Sequence, residues 1–383
     1  MHIKYAILTS FVPLKSGIAT FCNDLYQSLN IDKQYNIEII AVESQDNKSD
    51  YTSEVRHIIK RNSKENYLEL ATTLNDKYDL LLIQHKFGLF GDNAGNNLID
   101  LLKNVRIPKV ATCHTILNNP NDLYRDVFLN MAKYLDKFIA MTLKASSLLQ
   151  EVYNIDQSKI EVIAHGGPKL PLRTSLESKA LLGIPRSTIT LATFGLLSPS
   201  KGLDTIIRAV AKVKNIYPDI SYYILGQIHP NEQKNNGDAY LNYLKGQVIK
   251  YDVKENIEFM TKFMEAEELY DNVNMADIYV IPYPNRDQIS SGTLSYALSA
   301  GKAIISTPFW HAQEVLSNGL GLFAYDDQSF AQQIVSLISN DDKRLEMEKR
   351  VYAYAEKLTW DHIGIQYNTL FNTLLTTTKP RHA

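Results

Sequence analysis

The stretch Ile278–Glu314 (IYVIPYPNRDQISSGTLSYALSAGKAIISTPFWHAQE) constrains this chain more than any other. Ile278–Tyr283 is β-branched, aromatic and apolar on both faces, as a parallel strand covered by helices must be. A polar loop, Pro284–Ile289, follows it. Ser290 and Ser291 are N-cap residue types, and the helix they predict covers Gly292–Ala300 with Leu294, Ala297 and Leu298 on one face. Gly301 suits the left-handed position that ends such a helix, and Ala303–Ser306 reads as the next buried strand. A strand–loop–helix–strand unit sets its loop and helix N-terminus at the carboxyl ends of the strands, where open α/β sheets bind ligands. Unpaired N–H groups and the positive end of the helix dipole favour an anion such as phosphate there.

The same alternation runs through the chain. Ile3–Thr9 predicts a first strand, and Gly17 opens a helix with Phe21, Leu25 and Leu29 on one face. No GxGxxG follows the strand, so the dinucleotide-binding fingerprint is absent. Asp79–His85 and Val110–Cys113 read as buried strands, each ending at a histidine (His85 and His114), with a glycine-rich loop, Lys86–Gly95, after the first. Histidines at the ends of two neighbouring strands are expected to face one crevice. The run His165-Gly166-Gly167-Pro168 breaks both kinds of element and marks a boundary. Beyond it the rhythm restarts. Leu191–Phe194 is a strand, Gly195–Gly202 a loop holding one cation, Lys201, and Leu203–Val213 a helix. Ser221–Leu225 is a strand ending at Gly226, and a loop over Gln227–Asn236 carries His229.

A chain of 383 residues exceeds the size at which one core keeps growing, so two doubly wound domains are expected. A net charge of −2 gives no reason to expect nucleic acid as a partner. The two cysteines, Cys22 and Cys113, have neither a disulfide framework nor metal-ligand spacing, and read as buried thiols in a reducing cytoplasm. The apolar N-terminus is too short to cross a bilayer and reads as a strand. No carboxylate pair stands at a strand end, so no metal is expected. Asp326-Asp327 and Asp341-Asp342 read as helix caps.

Several stretches together resemble the GT-B glycosyltransferases, and within them the retaining, nucleotide-sugar-dependent family 4 (glycosyl transferases group 1). They are PLKSGIATF (13–21), the HxG linker (165–167), GLLSPSKGLDTIIRA (195–209), SAGKAIIST (299–307), Glu314 in the turn after it, and LTWDHI (358–363). A subgroup also shares QHxFGxFG (84–91), LGxxHP (225–230), QxxSGTLxYA (288–297) and STPxWxAxE (306–314). The resemblance implies two Rossmann-like domains facing a cleft. Residues 1–167 would form the acceptor side and 168–359 the donor side, with a helix from 360 to 383 returning to the first domain. It implies transfer of a hexose from a UDP- or GDP-linked sugar to a carbohydrate or other hydroxyl acceptor, with retention and no bound cofactor. Peripheral membrane contact and the oligomeric state stay open.

The family usually carries two glutamates eight positions apart around the central loop; here Gln288 and Tyr296 stand in their places. Its lysine loop usually carries an arginine where this chain has Leu196. The donor set implied by the resemblance is therefore Gly17, Gly195, Lys201, Gly226, His229, Arg286, Gln288, Ser290, Ser291, Gly292, Thr293 and Tyr296. Lys201 and the helix N-terminus take the diphosphate, with Arg286 or His229 replacing the missing arginine. His114, with His85 beside it, is the candidate for contacting the donor sugar. The alternatives are a nucleotide-sugar-binding protein without turnover, and an epimerase or phosphorylase on the same fold.

Overall fold

The computed structural model describes residues 3–32, 34–44, 49–171 and 173–377. The chain divides into two compact units, one running to Gly166 and resuming at Trp360, the other Gly167–Thr359.

The first unit holds a parallel sheet of β1 (Ile3–Thr9), β2 (Tyr35–Glu43), β3 (Val55–Lys60), β4 (Leu80–His85), β5 (Lys109–Cys113), β6 (Lys137–Ala140) and β7 (Ile160–Val162), in the order β3-β2-β1-β4-β5-β6-β7. The strands β1, β4 and β5 are buried along nearly their whole length, alternate residues facing opposite sides, as strands covered on both faces are. The helix Gly17–Leu29 starts where Ser16 accepts a hydrogen bond from the Ala19 N–H at 3.1 Å. Against it packs the last helix, Trp360–Thr377, whose Trp360, Ile363, Tyr367 and Phe371 join Phe21, Leu25 and Leu29 in one core. The two helices meet at Gly364, where a Cβ would stand 2.8 Å from the Ser28 hydroxyl and 2.9 Å from its carbonyl oxygen.

The second unit repeats the plan with β8 (Ile189–Phe194), β9 (Ile220–Leu225), β10 (Ile257–Met260), β11 (Ile278–Ile281), β12 (Ala303–Ser306) and β13 (Leu322–Phe323), ordered β10-β9-β8-β11-β12-β13. In each sheet the strand order reverses beside the first strand, between β1 and β4 and between β8 and β11. Loops leaving the carboxyl ends at such a switch point diverge and leave room for a ligand. Beneath β8 and β11 lies a buried ion pair. The Lys179 ammonium donates to Asp277 Oδ2 at 2.5 Å and to the Thr188 carbonyl at 2.9 Å.

Four helices lie where the sequence shows only loop or nothing periodic: Asn97–Asn104, Ser175–Leu181, Pro230–Asn236 and Trp310–Leu316. All are short, and Pro230–Asn236 (PNEQKNN) has no apolar stripe, so periodicity cannot reveal it. Glu314 consequently sits inside a helix, exposed, and not in a turn. The strand β11 stops at Ile281, two residues short of the apolar run. Pro282 has no N–H to continue the ladder, and the Thr307 hydroxyl takes the Tyr283 carbonyl at 2.6 Å. Asp326 does cap its helix, accepting from the Ser329 N–H at 2.8 Å, whereas Asn340, not an aspartate, caps the helix Asp341–Ala355.

Candidate active site

In the second unit the lysine loop and the central helix meet at the carboxyl ends of β8 and β11. The loop is pressed onto its neighbours: at Gly202 (φ +61°) a Cβ would stand 2.2 Å from the Pro282 carbonyl oxygen, and at Gly226 (φ +121°) 2.3 Å from that of Gly195. No larger residue fits either place. The Lys201 ammonium donates to the Tyr283 hydroxyl at 2.8 Å and stands 4.2 Å from the centre of the Tyr283 ring. Tyr283 Oη lies 2.5 Å from Thr293 Oγ1, which lies 3.1 Å from Ser291 Oγ. Ser291 is the N-cap of the helix Gly292–Ser299 and accepts from the Leu294 N–H at 3.3 Å. A cation, three hydroxyls and a helix N-terminus thus form one connected corner, with Gly195 against it, 3.6 Å from its Cβ direction to Lys201 Nζ. Such a corner suits a phosphate group.

Other residues of the expected donor set stand differently. The Gln288 side chain donates to the Ser290 carbonyl at 2.9 Å, and the Gln288 backbone carbonyl accepts from the His311 N–H at 3.2 Å, so both bonds stiffen the loop. The Tyr296 ring packs edge-on against Phe194 at 5.2 Å and tilted against Tyr270 at 6.1 Å. Arg286 is exposed, and its backbone carbonyl accepts from the Trp310 N–H at 3.0 Å. The backbone of His229 is fixed by its N–H donating to the Leu197 carbonyl at 2.9 Å. Beyond the ends of β9 and β10 a cavity of about 620 Å³ is lined by Gln227, Gln233, Lys234, Asp238 and Thr261 among others.

In the first unit β4 and β5 are adjacent, with His85 opposite Cys113. The two histidines do not share a surface, which corrects the expectation of one crevice for both. Successive strand residues point to opposite faces, and His114 Nε2 lies 2.8 Å from Oε1 of Gln84, the residue before His85. His114 is therefore on the side of the helix Gly17–Leu29, where Phe21 presents its ring to His114 at 4.7 Å, His165 at 5.0 Å and Trp360 at 5.0 Å. His85 turns the other way, buried against Phe87 and Phe128. His165 Nδ1 donates to the Gly166 carbonyl at 2.6 Å, which leaves its Nε2 as the acceptor nitrogen. Gly17 is exposed at the first turn of its helix.

Burial lowers the pKa of His114 to about 3, helped by the nearby His165 and Lys86, and burial lowers His165 to about 4. Both rings are neutral near pH 7. Burial also raises the Asp24 carboxyl, which Asn23 and Trp360 counter, to about 6. His85, lowered by burial from 6.5 to about 4, makes the unit sensitive to acid. Below 6.5 the unfolded chain binds a proton that the folded ring refuses, so stability falls as pH drops from 6.5 towards 4 and then levels. Each such ring contributes a slope of roughly 1.4 kcal/mol per pH unit, and His114 and His165, lowered to about 3 and about 4, act across the same window. His85→Leu is expected to lessen this limb by one histidine's share in urea midpoints measured from pH 7 to pH 4, with His114 and His165 keeping the rest; an unchanged limb would refute the assignment.

Residues 176–357 match the family model described as glycosyl transferases group 1. The second unit is a group 1 glycosyltransferase domain. Among known proteins, the D-inositol 3-phosphate glycosyltransferase of Corynebacterium glutamicum (strain R) is 24% identical over 324 residues, 79% of this chain and 74% of that protein. Sucrose-phosphate synthase from Thermosynechococcus elongatus superposes with a TM-score of 0.81 at 16% identity, covering 98% of this chain and all (100%) of that one. HepE from Anabaena, solved in complex with UDP and glucose, superposes with a TM-score of 0.77 at 16% identity over 97% of this chain and 100% of its own. The fold is GT-B.

Two parts of the candidate site escaped sequence reading. Tyr283 looks like the end of a buried strand, and only the lysine loop folding back over Pro282 makes its hydroxyl a partner of Lys201. Phe21 looks like one more apolar position on a helix, yet three aromatic partners gather on its ring. Pro282 before Tyr283 was the available signal for the first; nothing local marks the second. Among the described residues, no group of three metal-ligating side chains is close enough to hold a metal ion.

Proposed function

We propose that this group 1 glycosyltransferase moves a hexose from a UDP- or GDP-linked sugar to a hydroxyl acceptor, a carbohydrate or another alcohol, with retention at the anomeric carbon. The observation that carries the reading is the corner of Lys201, Tyr283, Thr293 and Ser291 in a group 1 domain. Its ammonium, hydroxyls and helix N-terminus would neutralise the charge that grows on a departing nucleoside diphosphate, the term on which glycosyl transfer most depends. The second unit would hold the donor and the first the acceptor. The cavity beyond β9 and β10, lined by polar and apolar side chains alike, offers groups for the nucleoside, and His114, neutral and oriented by Gln84, is the candidate for a donor-sugar hydroxyl. His85, buried on the other face, would act only by supporting β4. The solved complex of the similar HepE with UDP and glucose agrees with a donor of this class.

Cys22 and Cys113 are free buried thiols, which fits the cytoplasm proposed as the compartment. Among the described residues no helix is long and apolar enough to cross a membrane.

A thermal-shift screen of UDP, GDP and their hexose conjugates tests the reading. A ligand at 100 times its Kd should stabilise by about 2.7 kcal/mol, a shift of a few degrees. No shift with any of them would overturn it. The neutral residues at positions 288 and 296 favour one second reading, binding without turnover. It holds if a nucleotide sugar shifts the melting temperature and is neither transferred nor hydrolysed.

A further inference from the structure

We propose that Tyr283 is the positioning residue for Lys201, holding the ammonium at the phosphate corner through a chain of hydrogen-bonded hydroxyls. The proposal rests on the donor reading given above. A lysine ammonium has three N–H donors and no acceptor, so Tyr283 Oη must accept from Lys201 across their 2.8 Å. Tyr283 Oη also lies 2.5 Å from Thr293 Oγ1, and Thr293 Oγ1 lies 3.1 Å from Ser291 Oγ, pairs in which either hydroxyl can donate. Ser291 Oγ also accepts from the Leu294 N–H and so ends the chain at the helix N-terminus. The ammonium is thereby tied through Tyr283 to two hydroxyls, Thr293 and Ser291, on the very turn expected to meet the diphosphate.

The platform is rigid. Tyr283 is 1% exposed, its ring stacks on Phe309 at 5.3 Å, and its carbonyl is held by the Thr307 hydroxyl at 2.6 Å. The ammonium rests 4.2 Å from the ring centre, within cation–π range. A free lysine has a flexible four-carbon stem whose ordering opposes binding, and a clamp that orders it beforehand removes that cost from ligand capture. One donor of the ammonium is committed to Tyr283, which leaves two N–H groups for an anion.

The test is a double-mutant cycle of Tyr283→Phe and Lys201→Ala, read as Kd for UDP and for GDP by titration calorimetry. Tyr283→Phe keeps the ring and its packing and removes only the hydroxyl. It is expected to weaken the nucleotide that the parent binds by about 3–10-fold. In the Lys201→Ala background the same change should add nothing. Thr293→Val, which removes the next hydroxyl and leaves the tyrosine untouched, should weaken binding in the same direction and also lose its effect without Lys201. Full affinity of Tyr283→Phe, or an equal loss with and without Lys201, would overturn the proposal while leaving the donor reading intact. A parent protein that binds neither nucleotide would overturn both.

Discussion

Replacing Lys201 with alanine is expected to lower turnover of a nucleoside-diphosphate sugar by about 10²–10³-fold, the usual scale for losing one charge-stabilising donor. The melting temperature should barely move. The Lys201 side chain is half-exposed, and what it leaves behind is the Tyr283 hydroxyl, which keeps Thr293 as its partner. Charge develops on the diphosphate as the sugar departs, so the loss should fall mostly on kcat and less on KM. Arginine at this position keeps the charge but carries a wider, planar head. Its planar fork cannot repeat the contact that the Lys201 ammonium makes with both the Tyr283 hydroxyl and its ring, so Lys201→Arg should restore only part of the activity. Full activity in Lys201→Ala, with unchanged nucleotide affinity, would return Lys201 to the ordinary surface.

Asp277→Ala is expected to destabilise the second unit by about 3–5 kcal/mol, the cost of leaving a buried charge uncompensated. The Lys179 side chain is 2% exposed, and its partner carboxylate also accepts from Thr190 N at 2.9 Å, Thr190 Oγ1 at 3.0 Å and Ser175 Oγ at 2.7 Å. Burial alone would raise the Asp277 pKa; the Lys179 ammonium and these donors outweigh it and hold the carboxyl below its ordinary 3.8. A depressed folded pKa means stability present above pH 3.8 and lost as pH falls below it through the folded value. This acid limb lies below that of His85, which acts between 6.5 and about 4, so the two separate along one pH series. Changing the pair together, as Lys179→Met with Asp277→Ala, should recover much of the loss, because an apolar pair carries no desolvation penalty. A urea midpoint for Asp277→Ala equal to that of the parent would show that the network does not hold the unit.

How much of this was legible beforehand depends on how local each feature is. The short apolar runs that became β1, β4, β8, β11 and β12 are buried on both faces, and burial on both faces writes itself into consecutive residues. The cap Ser291 was readable because it bonds an N–H only three positions away. The loops carrying Gly17, Lys201 and Ser291–Thr293 followed from strand–helix alternation. The helix Pro230–Asn236 was not readable, because its residues show no buried face.

What the sequence by itself determined is therefore the alternation of strands and helices, the ends at which their loops gather, and the glycines those loops require. The tertiary structure decided the partners. His85 and His114 stand at matching ends of adjacent strands, and only the register of β4 against β5, with Gln84 between them, sends their rings to opposite faces. Tyr283 and Lys201 are 82 positions apart, and their hydrogen bond exists because Gly202 lets the lysine loop close on Pro282. Pattern in a sequence reports which residues are buried. It carries no record of which distant residue each will touch, since that depends on packing many side chains at once.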